Sequence, residues 1–294
     1  MENIRLKHLN FAQYQSEITS LLTENHLPVN DLDSGLRYFI GAFSDEKLTG
    51  FAALEGTGDY GLFRSLVVSE EFRSSGIGKK IHDALLTHSL VEGFKKLYLL
   101  TTTADTYFAK QGWIVVQRDT VPDSIKKTEE FSSICPSAAV CMEFNLPLEK
   151  QEIAGWLFKA GFNCAQSVFL PFALELGMKP EHALKLTTGF GAGMVYRGET
   201  CGAVTGAMMA IGLLYGRNVA ADTGARDKTY DLINRYYKDF KNINGSILCK
   251  ELLKVDLSTD EGKMEANHKG LFENLCPKLI RDSVILSGEI LKKA

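Results

Sequence analysis

The 294 residues are 45% hydrophobic and 23% charged, with 17 Phe, 10 Tyr and 2 Trp, a balance that excludes disordered, collagenous and fibrous classes. At about 150 residues per domain the length points to two domains, each able to bury its own core. A formal charge of −3 and a pI near 6.1 give no field that would gather phosphate backbones or anionic lipid, so small-molecule chemistry is expected, with no nucleic-acid and no membrane partner.

The opening MENIRLKHLN lacks the apolar core of a signal peptide. Residues 203–215, the longest nearly apolar stretch, fall short of the ~20 needed to span a bilayer, and a cytoplasmic location is expected. Six scattered Cys are too few for a secreted disulfide framework, so any function they have is as thiolates. Residues 11–22 have helical spacing, and 37–43, 48–55 and 61–68 read as three strands. The run from Gly76 to Gly93 places Ile77, Ile81, Ala84, Leu85 and His88 on one helical face, followed by a short buried strand at 96–101. A second short helix at 104–112 stops at Gly112, and strands at 113–118 and 138–144 close the sheet. Beyond Pro147 the β-branched runs cease. Segments 150–161, 163–177, 180–190, 199–216, 221–245, 246–253 and 275–293 read as helices, and an α-helical bundle is expected.

Arg73-Ser74-Ser75-Gly76-Ile77-Gly78 lies between a strand ending near Val68 and an amphipathic helix. Glycines there allow close backbone approach, and the first amides of the helix aim free N–H groups at an anion, for which a pyrophosphate is the natural guest. In its context the run VVSEEFRSSGIGKKI resembles the acyl-CoA signature of the GNAT acetyltransferases, and TADTYFAKQGW resembles that family's later helix. LFRSL (62–66), YLLTTTA and EFSSICPSAAVCM resemble its branch associated with arsenic-resistance operons. The resemblance implies a GNAT domain over residues 1–146, an α+β fold with a mixed sheet. It implies acetyl-CoA with its pyrophosphate on Arg73, Ser74, Ser75, Gly76, Ile77, Gly78 and Lys79, its pantetheine arm along Leu66 to Val68, and an amine-bearing small molecule as acceptor. Many members carry a Tyr acid four residues before the Gly-aromatic pair. That position is Phe108 here, so Tyr107 beside it is the candidate acid unless the thiolate leaves unaided, which its pKa near 8.5 permits. Glu55, ending the strand toward the cleft, is the candidate base, against a solvated strand end. Arg64 on the adjacent strand either binds an anionic acceptor or pairs with Glu55. His26, Asn30 and Asp31 share a loop that would line the acceptor side.

Cys135 and Cys141 are either two buried small side chains or a pair of soft-metalloid ligands. In the second half Cys164, Cys201, Cys249 and Cys276 fall one per helical segment. Cys201 follows Thr200, a reasonable N-cap, so its sulfur is expected in a first turn where the dipole makes it the most acidic of the four. Cys276 precedes Pro277, which suits a helix start. The four are expected to converge. Their order, with GETCGAVTGAMMAIGLLYG, resembles the redox-active family named for its C_GCAxxG_C_C pattern, which implies an all-helical domain over residues 150–294 with a redox or metal-binding role. GFGAG (189–193) follows no strand and reads as a turn. The expected protein is an N-acetyltransferase joined to a cysteine domain that cycles a disulfide or holds a soft metal or metalloid, with a place in arsenic resistance. The alternative is an acyl-CoA-binding sensor without turnover. The assembly stays open, with a homodimer entertained.

Overall fold

The computed structural model describes residues 4–29, 31–32 and 36–292, which leaves Asn30 outside the described residues. The chain divides into two compact units, Met1–Pro147 and Leu148–Ala294.

The first unit is a seven-stranded sheet in the order β1-β2-β3-β4-β5-β7-β6. Its strands are β1 (Ile4–His8), β2 (Leu36–Ser44), β3 (Lys47–Thr57), β4 (Tyr60–Val68), β5 (Lys96–Thr101), β6 (Ile114–Val115) and β7 (Val140–Asn145). All neighbours are antiparallel except β4 and β5. Alternation along the strands sorts side chains between two helical layers. Helix α1 (Phe11–Glu24) buries Ile18, Leu21 and Leu22, at helical spacing, against Phe39, Phe43, Phe51 and Val67. On the opposite face α2 (Ile77–Val91) seats Ile77 and Ile81 over Gly50, where a Cβ would lie 2.7 Å from Ile81 Cδ1. The short α3 (Asp105–Lys110) carries Phe108 into an aromatic cluster with Phe63, His82 and Trp113. Each such buried side chain contributes roughly 1.5–3 kcal/mol of transfer free energy.

Two features of this unit escape the sequence pattern. Strand β1 alternates too weakly to stand out, and only Ile114–Val115 of the expected strand at 113–118 pairs, because Trp113 turns into the core instead. Between β6 and β7 the chain forms α4 (Asp123–Lys126) and a π turn at Glu130–Ile134.

The second unit is all helical: α5 (Lys150–Lys159), α6 (Cys164–Glu175), α7 (Pro180–Thr187), the turn α8 (Gly191–Met194), α9 (Gly202–Tyr215), α10 (Thr223–Asn244), α11 (Cys249–Leu253), α12 (Asp260–His268), α13 (Leu271–Asn274) and α14 (Cys276–Lys292). Asn163 starts α6 with a capping box, its side chain accepting from the amides of Ala165 and Gln166 while Gln166 accepts from its own amide. Tyr236 of α10 is fully buried and shares a 2.8 Å hydrogen bond with Ser283 of α14, whose hydroxyl donates to Ala203 O of α9 at 2.7 Å. Among the described residues no helix is long and apolar enough to cross a membrane.

Candidate functional sites

In the first unit β4 pairs with β5 only at Tyr60, Gly61 and Leu62. Beyond Leu62, strand β5 continues with β7 and β4 continues with β3, so the sheet parts and, among the described residues, no strand pairs with the edge of β4 at Leu66, Val67 and Val68 on that side. A one-residue register shift opposite Ala52, with Ser65 at φ 59°, is a β-bulge that bends β4 away. At the end of β4 a single 3-10 turn (Glu70–Phe72) leads into Arg73, Ser74 at φ 62° and Gly76 at φ 85°, and α2 begins. Lys80 makes the first return bond, to Gly76 O, so the amides of Ile77, Gly78 and Lys79 precede the helical ladder. The Ile77 side chain anchors this turn in the core while its amide stays on the loop side.

Space above Gly76 is open: a Cβ there would meet nothing within 4 Å, and only the left-handed φ restricts the residue. The loop's side chains are engaged internally. Ser75 Oγ donates to Phe72 O at 2.5 Å, Arg73 donates to Val68 O at 3.2 Å and to Asn25 Oδ1 at 2.5 Å, and Lys79 pairs with Asp83. What the loop presents outward is therefore chiefly backbone N–H.

Phe108 and Tyr107 divide the work of α3. Phe108 is a core residue, whereas the Tyr107 hydroxyl is buried without a hydrogen-bond partner and lies 3.5 Å from where a Cβ of Gly78 would stand, with Val68 Cγ2 beside it. Burial first, and then Asp83, push the Tyr107 phenol upward, so it holds its proton at neutral pH.

Glu55 and Arg64 meet in a buried cluster. Arg64 grips Asp31 with two donors at 2.6 and 2.7 Å, donates to Glu55 Oε2 at 3.0 Å, and places Nε 2.5 Å from Glu130 Oε2. Its guanidinium is thus spent on three carboxylates, and of the two expectations for Arg64 the pairing with Glu55 is the one the structure shows. Glu130, in the π turn, is the member that sequence inspection missed, since nothing in KKTEEFSSI separates it from a solvated acid. One cation facing three carboxylates leaves an excess of negative charge in a dry site, and burial pushes Glu55 upward and Glu130 to about 7.

A carboxyl whose folded pKa stands above its unfolded one stabilises the fold while it keeps its proton. This contribution is whole below about 4.5 and lost as pH rises toward 7, at most about 3 kcal/mol. Urea unfolding of Glu130→Gln should therefore show a flatter pH dependence than wild type across that window; parallel curves would contradict it.

His82 and His88 are structural. His82 is buried, with Nε2 accepting from Trp113 Nε1 at 2.9 Å and Nδ1 on Asp83, and burial holds His88 at about 3. Cys141 packs in β7 against Leu62 and Tyr98, while Cys135 is half-exposed at the end of the π turn, and burial raises both thiols, Cys141 to about 11. Among the described residues no three His, Cys, Asp or Glu side chains are arranged to hold a metal ion.

In the second unit Cys164, Cys201, Cys249 and Cys276 do line one cavity, of about 700 Å3. Cys164, Cys249 and Cys276 are each the first residue of a helix. The register at Cys201 differs by one from expectation. Cys201 is itself the N-cap of α9, because Thr200 is held in a bridge to Leu248, with Cys201 N–H on Ile247 O at 2.8 Å and Cys249 N–H on Glu199 O at 2.7 Å. The ranking of acidity is corrected as well. Cys164 is lowered below an ordinary thiol by Cys201 first and then, against burial, by the backbone amides of Ala192, Cys164 and Ala165. Cys201 is raised, chiefly by its hydrogen bond with Cys164 and then by burial. Burial likewise pushes Cys249 up to about 12, and raises Cys276. Gly202 makes the contact possible: a Cβ there would stand 2.3 Å from Cys164 Sγ.

Residues 5–113 match the "Acetyltransferase (GNAT) family" and residues 162–290 match "Putative redox-active protein (C_GCAxxG_C_C)". One model thus falls on each unit, so the first resembles the GNAT acetyltransferases and the second the C_GCAxxG_C_C proteins. Similar solved structures include N-acetylglutamate synthase from Neisseria gonorrhoeae with coenzyme A and N-acetyl-glutamate, at 19% identity and a TM-score of 0.42, over 50% of this chain and 36% of that one. A GNAT-family acetyltransferase from Staphylococcus aureus Mu50 shares 18% identity at a TM-score of 0.41, over 49% of this chain and 100% of that one. A search of curated proteins gives no match.

Proposed function

We propose that the first unit is an acetyl-CoA-dependent N-acetyltransferase acting on a small amine, and that the second is a thiol redox domain. The observation that carries the first part is the parting of β4 from β5, with the free amides of Ile77, Gly78 and Lys79 at its mouth and the Tyr107 hydroxyl beside Gly78. A pyrophosphate fits those amides because they supply N–H donors and the positive end of a 15-residue helix without needing a cationic side chain. Val68 and Leu66 lie on an edge of β4 that no strand pairs, suited to the amides of a pantetheine arm once Arg73 yields Val68 O. Acetyl-CoA supplies the thioester that the amine attacks.

Glu55 is the group we assign to remove the amine proton, its raised affinity for protons suiting a base that must work near neutrality. Tyr107 donates to the departing thiolate. The buried, unpartnered hydroxyl supports a ligand at this place, because an orphaned donor in a dry site is costly unless a ligand completes it.

Since a thiolate of pKa near 8.5 leaves readily, the donor's share is modest: Tyr107→Phe should lower kcat for acetyl transfer to small amines by roughly 10²-fold, the low end for a general acid, with CoA affinity held. Unchanged kcat would remove Tyr107 from the reaction, and no acetyl transfer to any amine by wild type would remove the acetyltransferase reading. For the second unit, the two sulfurs in donor–acceptor contact support dithiol chemistry over a metal or metalloid cage.

A further inference from the structure

The cavity of the second unit has a buried end and an exposed one. Its four cysteines are at most 9% exposed, whereas Lys159, Tyr196, Asn267 and Glu273 among its lining residues are exposed and mark where it opens. Behind the sulfurs runs an unusual backbone. Ala192, Gly193, Met194, Val195 and Tyr196 all have φ between 50° and 65°, a left-handed run that is strained for the four residues carrying a Cβ and most of all for β-branched Val195. That run brings the Ala192 amide onto the Cys164 sulfur and sets Ala192 and Tyr196 in the cavity wall. With Gly202 leaving room on the other side, Cys164 is held between a strained turn and the N-cap of α9, against Cys201.

We propose that Cys164 and Cys201 are an attacking and resolving pair that reduces a small organic disulfide bound in this cavity. The proposal rests on the reading of the second unit as a thiol redox domain. The Cys164 thiolate attacks one sulfur of the disulfide, forming a mixed disulfide and expelling one thiolate. Cys201 then gives up its proton and attacks the Cys164 sulfur, which breaks the mixed bond and expels the second thiolate. Two electrons pass from the pair to the substrate, the Cys201 proton leaves on one of the released thiolates, and the protein keeps a Cys164–Cys201 disulfide. A dithiol reductant returns the pair to its starting state.

Cys164 is the attacking sulfur because it is the first residue of α6, where a helix N-terminus favours a thiolate, and at 9% against 4% it is the more exposed of the pair; the downward shift of its thiol agrees with that placement. The substrate class follows from the walls. Phe158, Phe162 and Phe272 provide apolar aromatic surface, and Lys159 and Glu273 are both exposed at the opening, so the aromatic walls and not a net charge select the molecule, within a volume that admits a small molecule and no folded partner.

The full-length protein, fully reduced, can be mixed with dithiobis(nitrobenzoate), an aromatic disulfide carrying carboxylates whose released thiolate is coloured. Wild type should show a fast phase releasing two equivalents, leaving no adduct and a Cys164–Cys201 disulfide by peptide mass mapping. Cys201→Ser should release one equivalent and retain the adduct on Cys164, and Cys164→Ser should lose the fast phase by at least tenfold. A brief iodoacetamide pulse on wild type, which needs no variant to fold, should label Cys164 first. A fast phase whose adduct sits on Cys249 or Cys276, or one that survives Cys164→Ser, overturns the assignment and leaves the redox reading standing. If no cysteine of the folded wild type reacts ahead of the unfolded chain, the redox reading itself falls.

Discussion

Arg64→Met should destabilise the first unit by about 3–5 kcal/mol, the range for removing one partner of a buried ion pair. Arg64 is fully enclosed, and Asp31, Glu55 and Glu130 all direct oxygens at it. A Met of similar length preserves the packing but strands three carboxylates in a site where little water reaches them. Each would answer by holding its proton to higher pH, so the loss should grow as pH rises and shrink in acid. Urea unfolding at pH 5 and pH 8 checks both the size and the slope. A loss under about 1 kcal/mol, or one that does not depend on pH, would mean that the cluster is solvated or already neutral.

Glu55→Gln should do the reverse, sparing the fold and damaging turnover. A Gln can still accept the hydrogen bond from Arg64, and removing one of three buried negative charges relieves the excess, so stability should hold or rise. If Glu55 takes the amine's proton, kcat should fall roughly 10²–10⁴-fold, and the acid limb of the pH–rate profile that reports its ionisation should disappear. Unchanged kcat, or a loss accompanied by an unaltered pH profile, would reduce Glu55 to a structural counter-ion of Arg64.

The contrast between these two residues shows where sequence reasoning reaches its limit. The shape of the loop Arg73–Lys79 is legible because it is local: Ser74 and Gly76 at left-handed φ and the helix start at Ile77 fall within four positions. The helices of the second unit were legible from the 3.6-residue period, and so was the convergence of four cysteines, since each stands at the start of its own helix. The Arg64 cluster joins residues up to about a hundred positions apart. A strand Arg can find one acid on the neighbouring strand by pattern, but Glu130 reaches it from a π turn that no periodicity announces.

The acidity order of the thiols was misread for a related reason. A helix start can be read from local sequence, and so can the amides of Cys164 and Ala165, whereas Cys201 at the N-cap of α9 and Ala192 in the left-handed run are brought to Cys164 only by the fold.

The central claim, that acetyl-CoA is held on the amides following Gly76, is tested most directly by calorimetric titration of acetyl-CoA into the full-length protein and its Gly76→Val variant. Valine at φ 85° demands a backbone that a β-branched residue resists, and moving the loop to relieve it would turn the amides of Ile77, Gly78 and Lys79 away from the phosphates. The account predicts binding to wild type and at least a tenfold weaker Kd for a folded Gly76→Val. Equal affinity of the two proteins, or no binding to wild type, would contradict it.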